Sequence, residues 1–235
     1  MLFPSSPLPR ALKQFSHLSR PLKRKHFQQE AHILASLSHP FVVPLEAVFE
    51  DESEGAYYLQ MPLLPSNLSE WLRSYAGPLA PPAVTAERLR DMIYRVAIAL
   101  QYVHSRNIIH RDLKPSNVLL DAEANPLLSD FDHSFDPSLA PGTFATHTYG
   151  RSVVMGSGDY MAPETKHHKP ATAATDVWAA GKIFAEMCNV WCLRHPEAAG
   201  ALEGLRGVAR RMLAKNPEDR PDALAVISTV RAHMR

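Results

Sequence analysis

An α+β fold in two lobes is what this sequence predicts: a small lobe of strands and one helix as far as Met61, a short connector, and a larger lobe made mostly of helices. Three observations lead there. Short strand-like runs, Arg10–Phe15, Phe41–Glu50 and Ala56–Met61, gather at the front of the chain. From Leu68 onward apolar residues recur mainly at three- and four-residue intervals, the period of a buried helix face. The 235 residues are enough for a sizeable core, and a content of 46% hydrophobic and 21% charged residues is that of an ordered globular chain.

Taken in order, Arg10–Phe15 reads as a short strand followed by a basic linker. A helix is expected from about His26 to Leu37, where Phe27, Ile33, Leu34 and Leu37 share one face and His39-Pro40 stops the pattern. Phe41–Glu50 and Ala56–Met61 read as a hairpin, turned by the acidic run Asp51-Glu52-Ser53-Glu54-Gly55. After Pro62–Pro65 come a short helix near Leu68–Tyr75, a proline-rich loop Gly77–Pro82 and a long helix from about Val84 to His104. Leu89, Ile93, Val96, Leu100 and Val103 form its core stripe. Brief strands at Ile108–Ile109, Val118–Leu120 and Leu127–Leu128 surround a polar loop. Phe131–Tyr160 is long, aperiodic and rich in Ser, Thr, Gly and Pro, as functional loops are. Helices near Asp176–Trp191, Ala198–Leu213 and Asp222–His233 complete the chain.

Charge and cysteine usage exclude several classes. Lys and Arg number 25 against 24 Asp and Glu, a net charge of +1, so no global basic field for nucleic acid is present. The basic N-terminal stretch, with Arg10, Lys13, Arg20, Lys23, Arg24 and Lys25, permits a transit peptide, but a strand and a helix account for more of its residues. The two cysteines, Cys188 and Cys192, cannot build a disulfide framework, which sets the expectation of an intracellular protein, cytoplasmic or nuclear. No run reaches the ~18 apolar residues of a membrane span, and prolines interrupt the first ten residues where a secretory signal needs an apolar core. No membrane partner is expected.

The chemistry lies in the loop after the long helix. His110-Arg111-Asp112-Leu113-Lys114-Pro115-Ser116-Asn117 is followed, eighteen residues beyond Asp112, by Asp130 in Ser129-Asp130-Phe131-Asp132. Two carboxylates, an amide and an ammonium thus fall on neighbouring loops. Phosphoryl transfer needs a base to orient a hydroxyl, hard oxygen ligands for magnesium and a cation for the moving phosphoryl group. All of these residue types are present.

These strings resemble the catalytic domain of the eukaryotic protein kinases, with the resemblance running from about Arg10 to Arg231. Met161-Ala162-Pro163-Glu164 resembles the family's Ala-Pro-Glu signature, and Asp176-Val177-Trp178-Ala179-Ala180-Gly181 the start of its buried central helix. Asn216-Pro217-Glu218-Asp219-Arg220-Pro221 resembles the late loop whose arginine pairs with that glutamate. Upstream, Ala11-Leu12-Lys13 resembles the strand that carries the nucleotide-binding lysine, with Glu30 seventeen residues on.

The resemblance implies a single two-lobed domain over 1–235, with a small lobe 1–61, a hinge 62–66 and a large lobe 67–235. By it, Asp112 would be the catalytic base, Asn117 and Asp130 the Mg2+ ligands, and Lys114 the cation near the transferred phosphate. Lys13 would hold the α- and β-phosphates of ATP, kept in place by Glu30. Met61 would be the gatekeeper, backbone near Pro62–Leu64 would meet adenine, Leu64 and Leu119 would line its pocket, and Leu34, Leu45, His110 and Phe131 would form an internal column. A lysine two places after the catalytic aspartate implies Ser/Thr rather than Tyr acceptors in protein substrates. Thr143, Thr146, Thr148, Tyr149 and Ser152 would be available to an upstream activating kinase, with Arg111 placed to pair with the phosphate; Ser157 resembles the hydroxyl residue that contacts the catalytic loop.

Three departures from the family pattern stand out. The first glycine is Gly55, so no glycine-rich phosphate loop precedes Lys13 and the small lobe reads as truncated. Asp132 stands where glycine is usual in the metal motif. The interval from Asp176 to Arg220 is forty-four residues, short for the family, so an intervening helix should be reduced or missing. The reading is therefore a Ser/Thr kinase using ATP and Mg2+, with a pseudokinase acting as a protein-binding scaffold or regulator as the alternative.

Overall fold

The computed structural model describes residues 9–16, 21–51, 53, 55–77, 84–136, 158–166 and 170–234. Among these, two small antiparallel sheets and a set of helices form an α+β protein of two lobes. β1 (Arg10–Phe15), β2 (Ala47–Asp51) and β3 (Ala56–Pro62) make the first sheet in the order β1-β3-β2, in a register that sets Lys13 opposite Leu59 and Ala11 opposite Met61. Helix α1 (Pro21–Ser36) meets this sheet through one aromatic side chain. Phe27 joins the two, its ring 5.2 Å from that of Phe15 and 5.1 Å from that of Tyr57.

The helix starts before the expected His26. Proline is suited to the first turn, where its missing N–H has no partner in any case, so Pro21 opens a helix that includes the basic run read as linker. The strand expected over Phe41–Glu50 is divided. Pro44 has no N–H for a ladder, and the chain before it turns to the other sheet: Leu128 N–H donates to Phe41 O and Val43 N–H to Leu128 O, both at 2.9 Å. Only Ala47–Asp51 stays with the hairpin, turned at Gly55 in the left-handed region at φ 59°.

The larger lobe opens with β4 (Ser66–Asn67) and α2 (Leu68–Ala76), where Asn67 and Glu70 form a reciprocal capping box. Helix α3 (Ala86–Ser105) is capped by Thr85 and buries the whole stripe Leu89, Ile93, Val96, Leu100 and Val103. β5 (Val118–Leu120) and β6 (Pro126–Leu128) pair beside β4. Ile108–Ile109 is not a strand but forms one bridge, Ile109 to Phe135. A single helical turn, α4 (Pro163–Lys166), precedes α5 (Ala173–Arg194), which begins before the expected Asp176 and is the most deeply buried helix.

The helix expected over Ala198–Leu213 is a 3-10 segment, Pro196–Leu202, followed by α6 (Glu203–Met212). α7 (Ala223–Ala232), capped by Asp222, closes the described fold against α3. Gly181 marks the closest approach of α5 and α6: a Cβ there would lie 2.8 Å from Met212 Cβ. Thr143, Thr146, Thr148, Tyr149, Ser152 and Ser157 lie outside the described residues. Among the described residues no helix is long and apolar enough to cross a membrane.

Candidate active site

Two polar clusters face each other where the lobes meet. The first forms around Lys13, which β1 delivers into the space between α1 and the segment after β6. Its ammonium lies 2.8 Å from Glu30 Oε1, 2.7 Å from Asp130 Oδ1 and 3.8 Å from Asp132 Oδ2. Three carboxylates therefore share one cation. Glu30 is the most deeply buried of them: burial pushes its carboxyl up to about 7, Lys13 pulls it back, and Asp132 and Asp130 add to the rise. Lys13 itself is raised, because Glu30 and Asp130 outweigh the cost of burial. Asp130 is held low, since Lys13 overcomes its desolvation.

The second cluster is the loop between α3 and β5. Lys114 Nζ lies 2.6 Å from Asp112 Oδ2, and Asn117 Nδ2 donates to Asp112 O at 2.8 Å and to Oδ2 at 3.1 Å. One carboxylate oxygen of Asp112, Oδ2, is thereby occupied, while both contacts leave Oδ1 unused. Asn117 is fixed through its amide nitrogen, so its amide oxygen is the atom available to a hard cation. Ser129 joins the clusters, donating from N and from Oγ to Asn117 O at 3.0 Å, one residue before Asp130.

The backbone of this loop is held by the core. Asp176, at the first turn of α5 and 1% exposed, accepts His110 N–H on Oδ2 and Arg111 N–H on Oδ1, each at 2.8 Å, and the His104 ring at 3.0 Å. Burial would raise this carboxyl; the His104 bond and the charges and amides around it outweigh burial and keep it low. Arg111 and Asp130 sit in the left-handed region, at φ 72° and 62°, conformations that cost side-chain-bearing residues of order 1–3 kcal/mol and persist where neighbours enforce them. His110 Nε2 donates to Ser129 O at 2.9 Å, and the His110 ring packs 4.8 Å from Phe131.

Asp132 occupies the place where glycine is usual. The positive φ falls on Asp130, and Asp132 is not among the left-handed residues, so no glycine is required there. What Asp132 brings is charge. Its Oδ1 is shielded from solvent without a hydrogen bond, His133 Nε2 standing 3.5 Å away, and Glu30 Oε2 is orphaned in the same way.

Met61 lies at the end of β3 and Leu64 just beyond it, both half-buried, while the exposed Leu63 donates its N–H to Pro9 O at 3.2 Å. Leu119 is half-buried on β5, on the opposite face from the buried Val118 and Leu120. These three offer apolar surface and enter neither polar cluster. Farther off, Arg220 meets Glu164 in a buried fork, Nη1 to Oε1 and Nη2 to Oε2, both 2.7 Å. Sequence reasoning missed the grip of Asp176 on the loop backbone, because an acidic residue in a first helical turn ordinarily reads as a response to the helix dipole. It also missed Gln29, whose amide reaches Ser134 O at 2.5 Å.

Hard oxygen donors on Asn117 and Asp130 suit a magnesium ion that keeps waters and substrate phosphates as its remaining ligands, and the cations of Lys13 and Lys114 suit a polyphosphate. Among the described residues no three His, Cys, Asp or Glu side chains are grouped as a metal cage.

Comparison with known proteins adds to this geometry. A family model described as the protein kinase domain matches residues 8–197. The chain is 31% identical over 185 residues to the serine/threonine-protein kinase PknD of Chlamydia caviae, covering 72% of this chain and 20% of that protein. It is 34% identical over 221 residues to PkaA of Streptomyces coelicolor, covering 84% and 37%, and 25% identical over 226 residues to mouse Nek1, covering 87% and 18%. The chain thus spans well under half the length of these curated relatives.

Proposed function

The chain belongs to the protein kinase family, and from that premise we propose that it transfers the γ-phosphoryl group of ATP to serine or threonine hydroxyls of protein substrates. The observation that carries the reading is the meeting of Asp112, Lys114 and Asn117 with Lys13, Glu30 and Asp130, drawn from both lobes. Residues 62–66 are the hinge between a small lobe up to residue 61 and a large lobe from 67.

In this reading Asn117 and Asp130 hold Mg2+, Lys13 takes the α- and β-phosphates, and Met61, Leu64 and Leu119 border the adenine. Bound Mg2+–ATP supplies the electrophilic phosphorus and part of the charge neutralisation. Asp112 orients the acceptor hydroxyl and takes its proton on Oδ1, the oxygen that Lys114 and Asn117 leave free. Lys114 then neutralises charge on the transferred group. Lys114 and the similarity to serine/threonine-protein kinases favour Ser/Thr acceptors over Tyr. Hydroxyls of the segment between Asp130 and Glu164 are where an upstream kinase would act. Two free cysteines fit a reducing, intracellular setting.

The test is thermal unfolding with and without Mg2+–ATP on the wild type, Lys13→Met and Asp130→Asn, followed by a phosphate-transfer assay with Asp112→Asn. Nucleotide at a hundred times its Kd stabilises by about 2.7 kcal/mol, and this gain should vanish in the first two variants. Asp112→Asn should keep the gain and lose transfer. A shift equally large in all chains, or transfer surviving in Asp112→Asn, refutes the assignment.

A further inference from the structure

Gln29 stands immediately before Glu30 on α1, and its Nε2 donates to the backbone oxygen of Ser134 at 2.5 Å, a contact between residues 105 apart in sequence. The acceptor is firmly held. Ser134 is completely buried; its N–H donates to Phe131 O at 3.0 Å and its Oγ to His110 O at 3.2 Å. Its neighbour Phe135 exchanges two backbone hydrogen bonds with Ile109, at 2.8 and 2.9 Å. Ser134 is therefore an extension of the catalytic loop, which Asp176 in turn fixes to α5.

A helix can roll about its axis while its apolar face stays in contact with a core, since that face is broad and non-directional. The apolar face of α1 is Phe27, Ile33 and Leu34, with Leu37 buried just past its end. What sets the roll is directional bonding. Lys13 cannot do so alone, because it is shared among Glu30, Asp130 and Asp132 and could keep two of its partners if Glu30 turned away. A hydrogen bond from the adjacent residue to a fixed carbonyl removes that freedom.

We infer that Gln29 is a positioning residue: by donating to Ser134 O it locks α1 in the orientation that holds Glu30 on Lys13, and does so with an uncharged side chain. The inference rests on the kinase reading only for its effect on catalysis; the lock itself is a property of the fold. It requires a donor at position 29, not merely a long polar side chain.

The experiment compares Gln29→Ala, Gln29→Glu and Gln29→Lys with the wild type. A net hydrogen bond of this kind predicts that kcat/KM for ATP falls about 3- to 10-fold in Gln29→Ala. Gln29→Glu, which sets a carboxylate against a carbonyl, should fall further, whereas Gln29→Lys, a flexible donor, should return towards wild type. A purely structural contribution would instead lower the thermal midpoint of all three alike without the rescue by lysine.

Hydrogen exchange gives a readout independent of turnover: residues 131–136 and the α1 amides should exchange faster in the Ala and Glu variants and stay protected in Lys. Unchanged exchange in Gln29→Ala, or a lysine variant behaving as the alanine one does, overturns the inference. If the wild type transfers no phosphate, the kinase reading fails, and the exchange comparison still decides the role of Gln29.

Discussion

Replacing Glu164 by alanine removes one half of a buried fork and leaves the other half charged. The Arg220 side chain is fully buried and that of Glu164 is 7% exposed, so the two 2.7 Å contacts are almost unscreened. Breaking a buried pair on one side costs about 3–5 kcal/mol, since the remaining charge stays desolvated. Arg220 keeps acceptors at Ala174 O, Ala214 O and Lys215 O, which places the expected loss near the lower end, ~3 kcal/mol. For a chain of this size each kcal/mol moves Tm by about 2–4 °C, giving a drop of roughly 6–12 °C.

The assay is urea unfolding followed by circular dichroism, repeated from pH 7 down to 3. Burial would raise the Glu164 carboxyl, but Arg220 holds it below the usual carboxylate range. Its stabilisation is therefore present above the unfolded value near 4.5 and is lost as pH falls through the folded value. The gap between wild type and Glu164→Ala must close in acid. A loss under ~1 kcal/mol at pH 7, or a gap that persists undiminished at pH 3, would refute the reasoning.

Three further outcomes follow from the same geometry. The carboxyl of Glu30, raised to about 7, favours folding below its unfolded value near 4.5 and loses that contribution as pH rises through 7; urea titrations should show the fall in wild type, a shallower one in Asp132→Gly and none in Glu30→Gln. An equal slope in all three would show that the carboxylates around Lys13 do not share it. Gly181→Ala should cost about 1–3 kcal/mol in chemical denaturation, because its methyl meets Met212 Cβ, and a neutral result would mean that α6 can slide away. Asp176→Asn keeps the size but replaces an acceptor oxygen by a donor facing backbone N–H groups, so exchange of the His110 and Arg111 amides should accelerate, and unaltered protection would deny the clamp.

The helices were legible where one periodic stripe dominates, as in α3, and the polar strings His110–Asn117 and Ser129–Asp132 named residues that the fold does bring together. Boundaries were illegible where a single residue changed the partner: Pro44 sent half of an expected strand to a second sheet, and Pro21 began a helix inside an apparent linker. Asp132 stood out only as a replacement for the usual glycine, because sequence shows residue type and not φ. Its real consequence, a third carboxylate on Lys13, appears only when β1 and the metal motif are placed together. The Gln29 contact spans 105 positions and carries no periodic signal, so nothing local could have announced it.

Helix α5 ties the loop 110–117 to the interior through Asp176, which accepts the His110 and Arg111 N–H groups. A loop anchored in this way cannot loosen ahead of the helix that holds it. Heat inactivation should therefore coincide with loss of tertiary structure, with no folded but idle stage, and the working lifetime of the protein at elevated temperature becomes a measure of how slowly its centre comes apart.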